Sequence, residues 1–166
     1  MSTDQPGAGL PAVDLASTSR FAAASGFEPD EISGTRVTGS VELGPDHHTP
    51  WGVVHGGVYC SVIESAASIG ASAAVAPHGK FSVGVNNNTD FIRAMTEGRV
   101  DVVAEPIQQG RTQQLWQVLI TRADDGKLVA RGQVRLQNVV LPGGGGDFRV
   151  YADPVGHPFC LVWDAA

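Results

Sequence analysis

Along the chain the hydrophobic pattern changes period twice. In "GTRVTGSVEL" (34–43), Val37, Val41 and Leu43 fall on one side, with Arg36, Thr38 and Glu42 on the other. That two-residue period predicts a strand. The next ordered run, "GGVYCSVIESAASIGASAAVA" (56–76), shows no alternation and is continuous in small and apolar residues. It predicts a helix of about 30 Å at 1.5 Å per residue, closed by Pro77 and Gly79. Being apolar on nearly all sides, it is expected to be buried.

Alternation then returns in four segments. "KFSVGVNNNTDFIRA" puts Phe81, Val83 and Val85 on one side, and in "GRVDVVAE" Val100, Val102 and Ala104 alternate with polar positions. "TQQLWQVLITRA" and "KLVARGQVRLQN" are joined by Asp124-Asp125-Gly126, a hairpin-type turn. The last of these places Val129, Arg131, Gln133, Arg135 and Gln137 on one face. A short helix is expected from Phe21 to Gly26. The order predicts an α+β fold in which an antiparallel sheet of five to six strands wraps the long helix.

Residues 1–20 are small, polar and punctuated by Pro and Gly, and read as a flexible leader; 21–141 form the folded domain. Residues 142–166 follow as a Gly-rich linker, "PGGGGDF", and a short strand-like tail. The total of 166 residues suits one domain with a real core. A net charge of -6 argues against a general nucleic-acid binder. No membrane span and no signal-type leader is read, so a cytoplasmic protein is expected. Cys60 and Cys160 make no disulfide framework.

The candidate chemistry centres on Glu64, the lone carboxylate of the apolar helix. A carboxylate there is costly unless it is paired or used. At helical spacing Cys60, Glu64 and Ser68 share one face, so the Ser68 hydroxyl is within reach of Glu64. Gly56 and Gly57 open the helix, where backbone amides lack internal partners and can stabilise an oxyanion. Gly56 and Glu64 lie eight residues apart, about 12 Å along one axis, whereas an oxyanion donor must come within about 3 Å. Two antiparallel helices from two subunits are therefore expected to share one site. His47, His48 and His55 lack a metal-ligand signature, so no metal site is expected. Cys60 reads as packing rather than a nucleophile.

"PWGVVHGGVYCSVIESAAS" resembles the helix start of hotdog-fold acyl-CoA thioesterases, most nearly the phenylacetate-type group and the 4-hydroxybenzoyl-CoA thioesterases with a glutamate on the helix. The pattern W-G-x-V-H-G-G-x-Y-C-x-x-x-E carries the resemblance, which extends over residues 26–140. It implies Glu64 as nucleophile or general base, the Gly56 amide polarising the thioester carbonyl, His55 positioning beside it, and Ser68 in place of a threonine that orients attack. It implies a substrate contact for Gly57, coenzyme A phosphates for Arg93, and the pantetheine and nucleotide region for Arg111 and Thr112. Thr49 stands where that branch has a glutamine, and Asn88 replaces a histidine, so both sit near the expected acyl pocket with their roles open. The implied activity is hydrolysis of an acyl-CoA, with an aryl-CoA among the options. No cofactor is implied beyond the coenzyme A of the substrate. The assembly implied is a dimer or a homotetramer of paired dimers, with sites at the dimer interface. A hotdog that binds or senses acyl-CoA without turnover is the alternative; a hydratase would need an acid–histidine motif that is not seen. The tail "VYADPVGHPFCLVW" resembles the closing strand of glyoxalase-type domains without forming a module, which leaves His157 structural.

Overall fold

The computed structural model of the chain describes residues 19–140, 148–152 and 158–162. Ser19 caps a one-turn helix α1 (Arg20–Ala24), its hydroxyl accepting the Ala22 amide, so helix begins at the last residue assigned to the leader. The remainder of that leader, the linker 142–147 and His157 lie outside the described residues.

Six strands form one antiparallel sheet: β1 (Glu28–Ile32), β2 (Val37–Leu43), β3 (Lys80–Phe91), β4 (Gly98–Gln109), β5 (Gln113–Arg122) and β6 (Leu128–Val140). Their spatial order is β1-β2-β4-β5-β6-β3. The long helix α2 (Gly56–Val75) lies between β2 and β3 in sequence, and carries the chain from the β2 side to the far edge beside β6. Phe148–Ala152 (β7) and Pro158–Val162 (β8) pair with each other in a separate hairpin.

Alternation works as expected on β2, β4 and β5. Val37, Val41, Val100, Val102, Ala104, Trp116, Val118 and Ile120 point inward and are buried. They meet Tyr59, Val62, Ile63, Ala66, Ala67 and Ala71 on one face of α2. Contact is close at Gly70, where a Cβ would come within 2.5 Å of the Trp116 ring, so the helix sits against the indole only because no side chain intervenes.

Three expectations are corrected. The helix is not buried all round: its other face, including Ser61, Ser65, Ser68 and Ala73, is half-buried in the single chain. Its length and apolar composition do reach what a membrane crossing needs, and the face packed on the sheet accounts for that apolarity. On β3 the valines do not point to the core. Ser82 and Gly84 face the helix, which leaves Val83 on the outer face, and Val85 sits exposed in a bulge between Gly84 and Asn86 that resets the alternation after it. A second irregularity, between Ile120 and Thr121 opposite the start of β6, buries both Val129 and Ala130, so Val129 leaves the exposed face of Arg131, Gln133 and Arg135.

Beneath the far end of α2 lies a buried polar cluster. Gln114 Nε2 donates to the Ala71 carbonyl at 2.9 Å and to Asn138 Oδ1 at 2.9 Å, and Trp116 Nε1 donates to Gln114 Oε1 at 2.9 Å. Asn138 Nδ2 donates to the Gly110 carbonyl at 3.0 Å. Every polar end of Gln114 is occupied, which makes its burial tolerable.

Candidate active site

The loop before α2 is braced on itself. Thr49 N–H donates to the Val53 carbonyl at 2.7 Å, and His55 N–H donates to the His47 carbonyl at 2.8 Å. His48 pairs with Val54 in an isolated bridge. This delivers His55 to the N-cap of α2 in extended backbone, where its Nδ1 accepts the Gly57 amide at 2.8 Å. With Nδ1 accepting, the proton of the neutral ring belongs on Nε2. The Val58 amide is taken by the His55 carbonyl at 3.0 Å. Among the described residues the Gly56 amide has no protein acceptor. Of the two glycines, Gly57 serves the cap and Gly56 keeps a donor free at the positive end of a 20-residue helix.

The Phe91 ring lies against Gly56, where a Cβ would come 2.8 Å from its Cζ. It also faces Tyr59 with ring centroids 6.3 Å apart. The Tyr59 hydroxyl is buried with no hydrogen-bond partner among the described residues, and burial pushes its pKa up to about 12.

Glu64 is half-buried, two turns further along, against β3. Asn87 Nδ2 donates to its Oε2 at 3.0 Å, and Ser68 Oγ approaches its Oε1 at 3.4 Å. Gly84 faces the carboxylate so closely that a Cβ would overlap Oε1 and stand 3.0 Å from Cδ. Thus Glu64 and Ser68 are together, as their spacing requires, while Gly56 stands at the other end of two helical turns.

The remaining expected residues are dispersed. Thr49 uses its hydroxyl locally, accepting the Trp51 amide at 3.4 Å. Asn88 pairs in register with Gln133, on the face of β3 turned away from α2; its neighbour Asn87 occupies the place beside Glu64. Arg93 is exposed, and its Nη1 donates to the Leu128 carbonyl at 2.6 Å. Arg111 and Thr112 are exposed at the β4–β5 turn. Arg111 lines a cavity of about 370 Å³ with His78, Lys80 and Gln109. No group of three or more His, Cys, Asp or Glu side chains fit to hold a metal occurs among the described residues.

Sequence reading missed Asn87, Thr89, Gly84 and Phe91. The signal was present as a strand whose helix-facing positions are polar or glycine, but the bulge at Val85 hid their common face.

Residues 52–129 match the Thioesterase superfamily. The chain is 46% identical over 137 residues to the protein named Putative esterase Rv1847 of Mycobacterium tuberculosis, covering 81% of this chain and 96% of that one. The solved structure of that relative matches with a TM-score of 0.70, over 74% of this chain and 98% of the other. Thioesterase HI1161 from Haemophilus influenzae matches with a TM-score of 0.70 at 27% identity, over 78% and 90% of the two chains. A 1,4-dihydroxy-2-naphthoyl-CoA hydrolase of Listeria monocytogenes is 31% identical over 96 residues, covering 58% of this chain and 77% of the relative. The chain belongs to the thioesterase superfamily and is an enzyme built on the hotdog fold.

Proposed function

We propose that two copies of the chain hydrolyse an acyl-CoA thioester, with Gly56 of one subunit and Glu64 of the other flanking the same carbonyl. One observation carries this reading: an unpartnered helix-terminal amide and a half-buried carboxylate lie on one helix, too far apart to meet within a chain. An antiparallel pair of α2 helices brings them together. Strand β3 is the natural seam. Among the described residues its outer edge is unpaired, Val83 and Val85 are exposed on the strand, and its charges stand only at Lys80 and Asp90. The assembly is then a dimer or a tetramer of paired dimers.

In the reaction the thioester oxygen accepts the Gly56 N–H, which stabilises the charge as it develops. Glu64 acts in one of two ways. As base it takes a proton from water, hydroxide adds to the carbonyl carbon, and the oxyanion collapses with loss of the CoA thiolate. As nucleophile it forms an acyl anhydride, again expelling thiolate, and water then cleaves the anhydride. Ser68 steadies the carboxylate, and His55, by capping Gly57, leaves only the Gly56 amide aimed outward. Neither route requires a metal or redox cofactor.

The Phe91 ring beside Gly56 favours an aryl acyl group, for which it offers an aromatic partner next to the carbonyl-binding amide. The Listeria relative's named substrate is of that class. Arg111, with Lys80 and His78 in the adjoining cavity, suits the nucleotide phosphates of coenzyme A, and Arg93 is a second candidate.

Subunit mixing tests the reading. Gly56 is the first helical residue and His55 is extended, so the backbone there accepts proline, which deletes the amide proton and adds a Cβ against Phe91. Gly56→Pro is expected to lower kcat by about 10²–10³-fold, while Gly56→Ala, which makes the same contact with Phe91, keeps far more activity. Mixed and refolded with Glu64→Gln, itself inactive, the Gly56→Pro chain should recover about a quarter of native turnover, because half the dimers then hold one intact site. Absence of recovery, with dimers present, overturns the shared site. Binding of benzoyl-CoA without turnover by native protein makes it a binder instead.

A further inference from the structure

The thioesterase reading leaves open what aims the Glu64 carboxylate, and this inference rests on that reading. A glutamate side chain has three rotatable bonds, and a misplacement of 1 Å is costly in rate. Ser68 alone is a weak guide, its hydroxyl being 3.4 Å from Oε1.

The stronger hold comes from β3. Asn87 Nδ2 donates to Glu64 Oε2 at 3.0 Å and to the Cys60 carbonyl at 3.2 Å, tying the carboxylate to the helix turn beneath it. Thr89 Oγ1 donates to Asn87 Oδ1 at 2.7 Å. A hydroxyl donating to the amide oxygen leaves the amide nitrogen as the edge that faces Glu64. The bulge between Gly84 and Asn86 puts Gly84 and Asn87 on the same side of the strand, one leaving room for the carboxylate and the other gripping it.

We propose that Asn87, locked in orientation by Thr89, is a positioning residue that holds Glu64 by Oε2 and fixes the carboxylate in the place from which it acts on the scissile carbonyl or its water. An amide nitrogen has no basic lone pair, so Asn87 cannot replace Glu64; it acts only through it. Thr89 acts one step further back.

The test measures kcat and KM of native, Asn87→Ala, Thr89→Val and the double variant, on whichever of benzoyl-CoA and hexanoyl-CoA the native protein turns over faster. Loss of a hydrogen bond to a charged group predicts that Asn87→Ala lowers kcat by about 10- to 100-fold with KM unchanged. Thr89→Val alone should lower kcat several-fold. In the Asn87→Ala background it should cost nothing more, because the two act in series. A merely structural role would move KM as well and make the two losses multiply. If Asn87→Ala does not fold, the near-isosteric Thr89→Val decides: a lowered kcat at native KM supports the role, and native kcat overturns it. An active native protein whose Asn87→Ala form keeps its kcat overturns this inference alone. A native protein inactive on both esters overturns the thioesterase reading and the positioning role together.

Discussion

Gly84→Ala isolates the geometry of the carboxylate from the stability of the fold. An added methyl overlaps Glu64 Oε1 and lies 3.0 Å from Cδ, and the nearest atoms it meets all belong to that carboxylate. Non-bonded heavy atoms settle near 3.5 Å, so Oε1 must withdraw by more than about 1 Å. It then leaves Asn87, now 3.0 Å away, or Ser68, now 3.4 Å away. A displacement of that size is worth about 10²-fold in rate. The stability change should be small, because the yielding atoms are the tip of a flexible side chain. Replacing glycine by alanine also restricts the unfolded chain, which offsets about 0.5 kcal/mol. The assay is kcat for thiol release beside a urea unfolding curve. A hundredfold loss of kcat with stability within about 1 kcal/mol of native is expected. Full activity refutes the placement of Glu64 against β3, and a loss matched by unfolding refutes the separation of site from fold.

Two further predictions concern the interior. Gln114→Leu leaves the Trp116 indole N–H without its acceptor in the core and removes the donor to Asn138 Oδ1, and should cost about 3 kcal/mol in urea unfolding with kcat retained. For Tyr59, burial holds the folded phenol near 12 against the ordinary value of 10.0. The unfolded chain therefore loses this proton first, binds fewer protons between those values, and gains on the folded state as pH rises through the window. Tyr59→Phe should remove that part of the alkaline loss. It should also raise stability at neutral pH by about 1 kcal/mol, because the buried hydroxyl has no partner. Paired melts of native and variant at pH 8 and pH 11 check both statements.

The long helix and five of the six strands were legible because each keeps one period over most of its length, with clear stops at Pro77, Gly79 and Asp124-Asp125-Gly126. Strand β1 was not, since "EPDEI" is polar, holds a proline and lies at a sheet edge with almost no burial to leave a pattern. Half of the candidate site was legible for a related reason. Glu64, Ser68 and Gly56 sit on one helix, and helical spacing alone sets their relations. The groups that hold Glu64 come from β3, reached through sheet pairing and a one-residue bulge that local pattern does not reveal. Asn88 was named from the resemblance alone, and Asn87, the neighbour that reaches Glu64, was overlooked. The half-exposed face of α2 was misread as buried because its serines and alanines carry little polarity; a second subunit's helix is what the account places there.

The central claim is that Glu64 drives hydrolysis of a CoA thioester. Thiol release from a panel of aryl and straight-chain acyl-CoA esters, native against Glu64→Gln, tests it most directly. Steady turnover by the native protein, fastest on an aryl ester, is expected. So is a fall of about 10³-fold or more in the variant, with ester binding retained. Undiminished turnover in Glu64→Gln, or tight binding without turnover in the native protein, would contradict it.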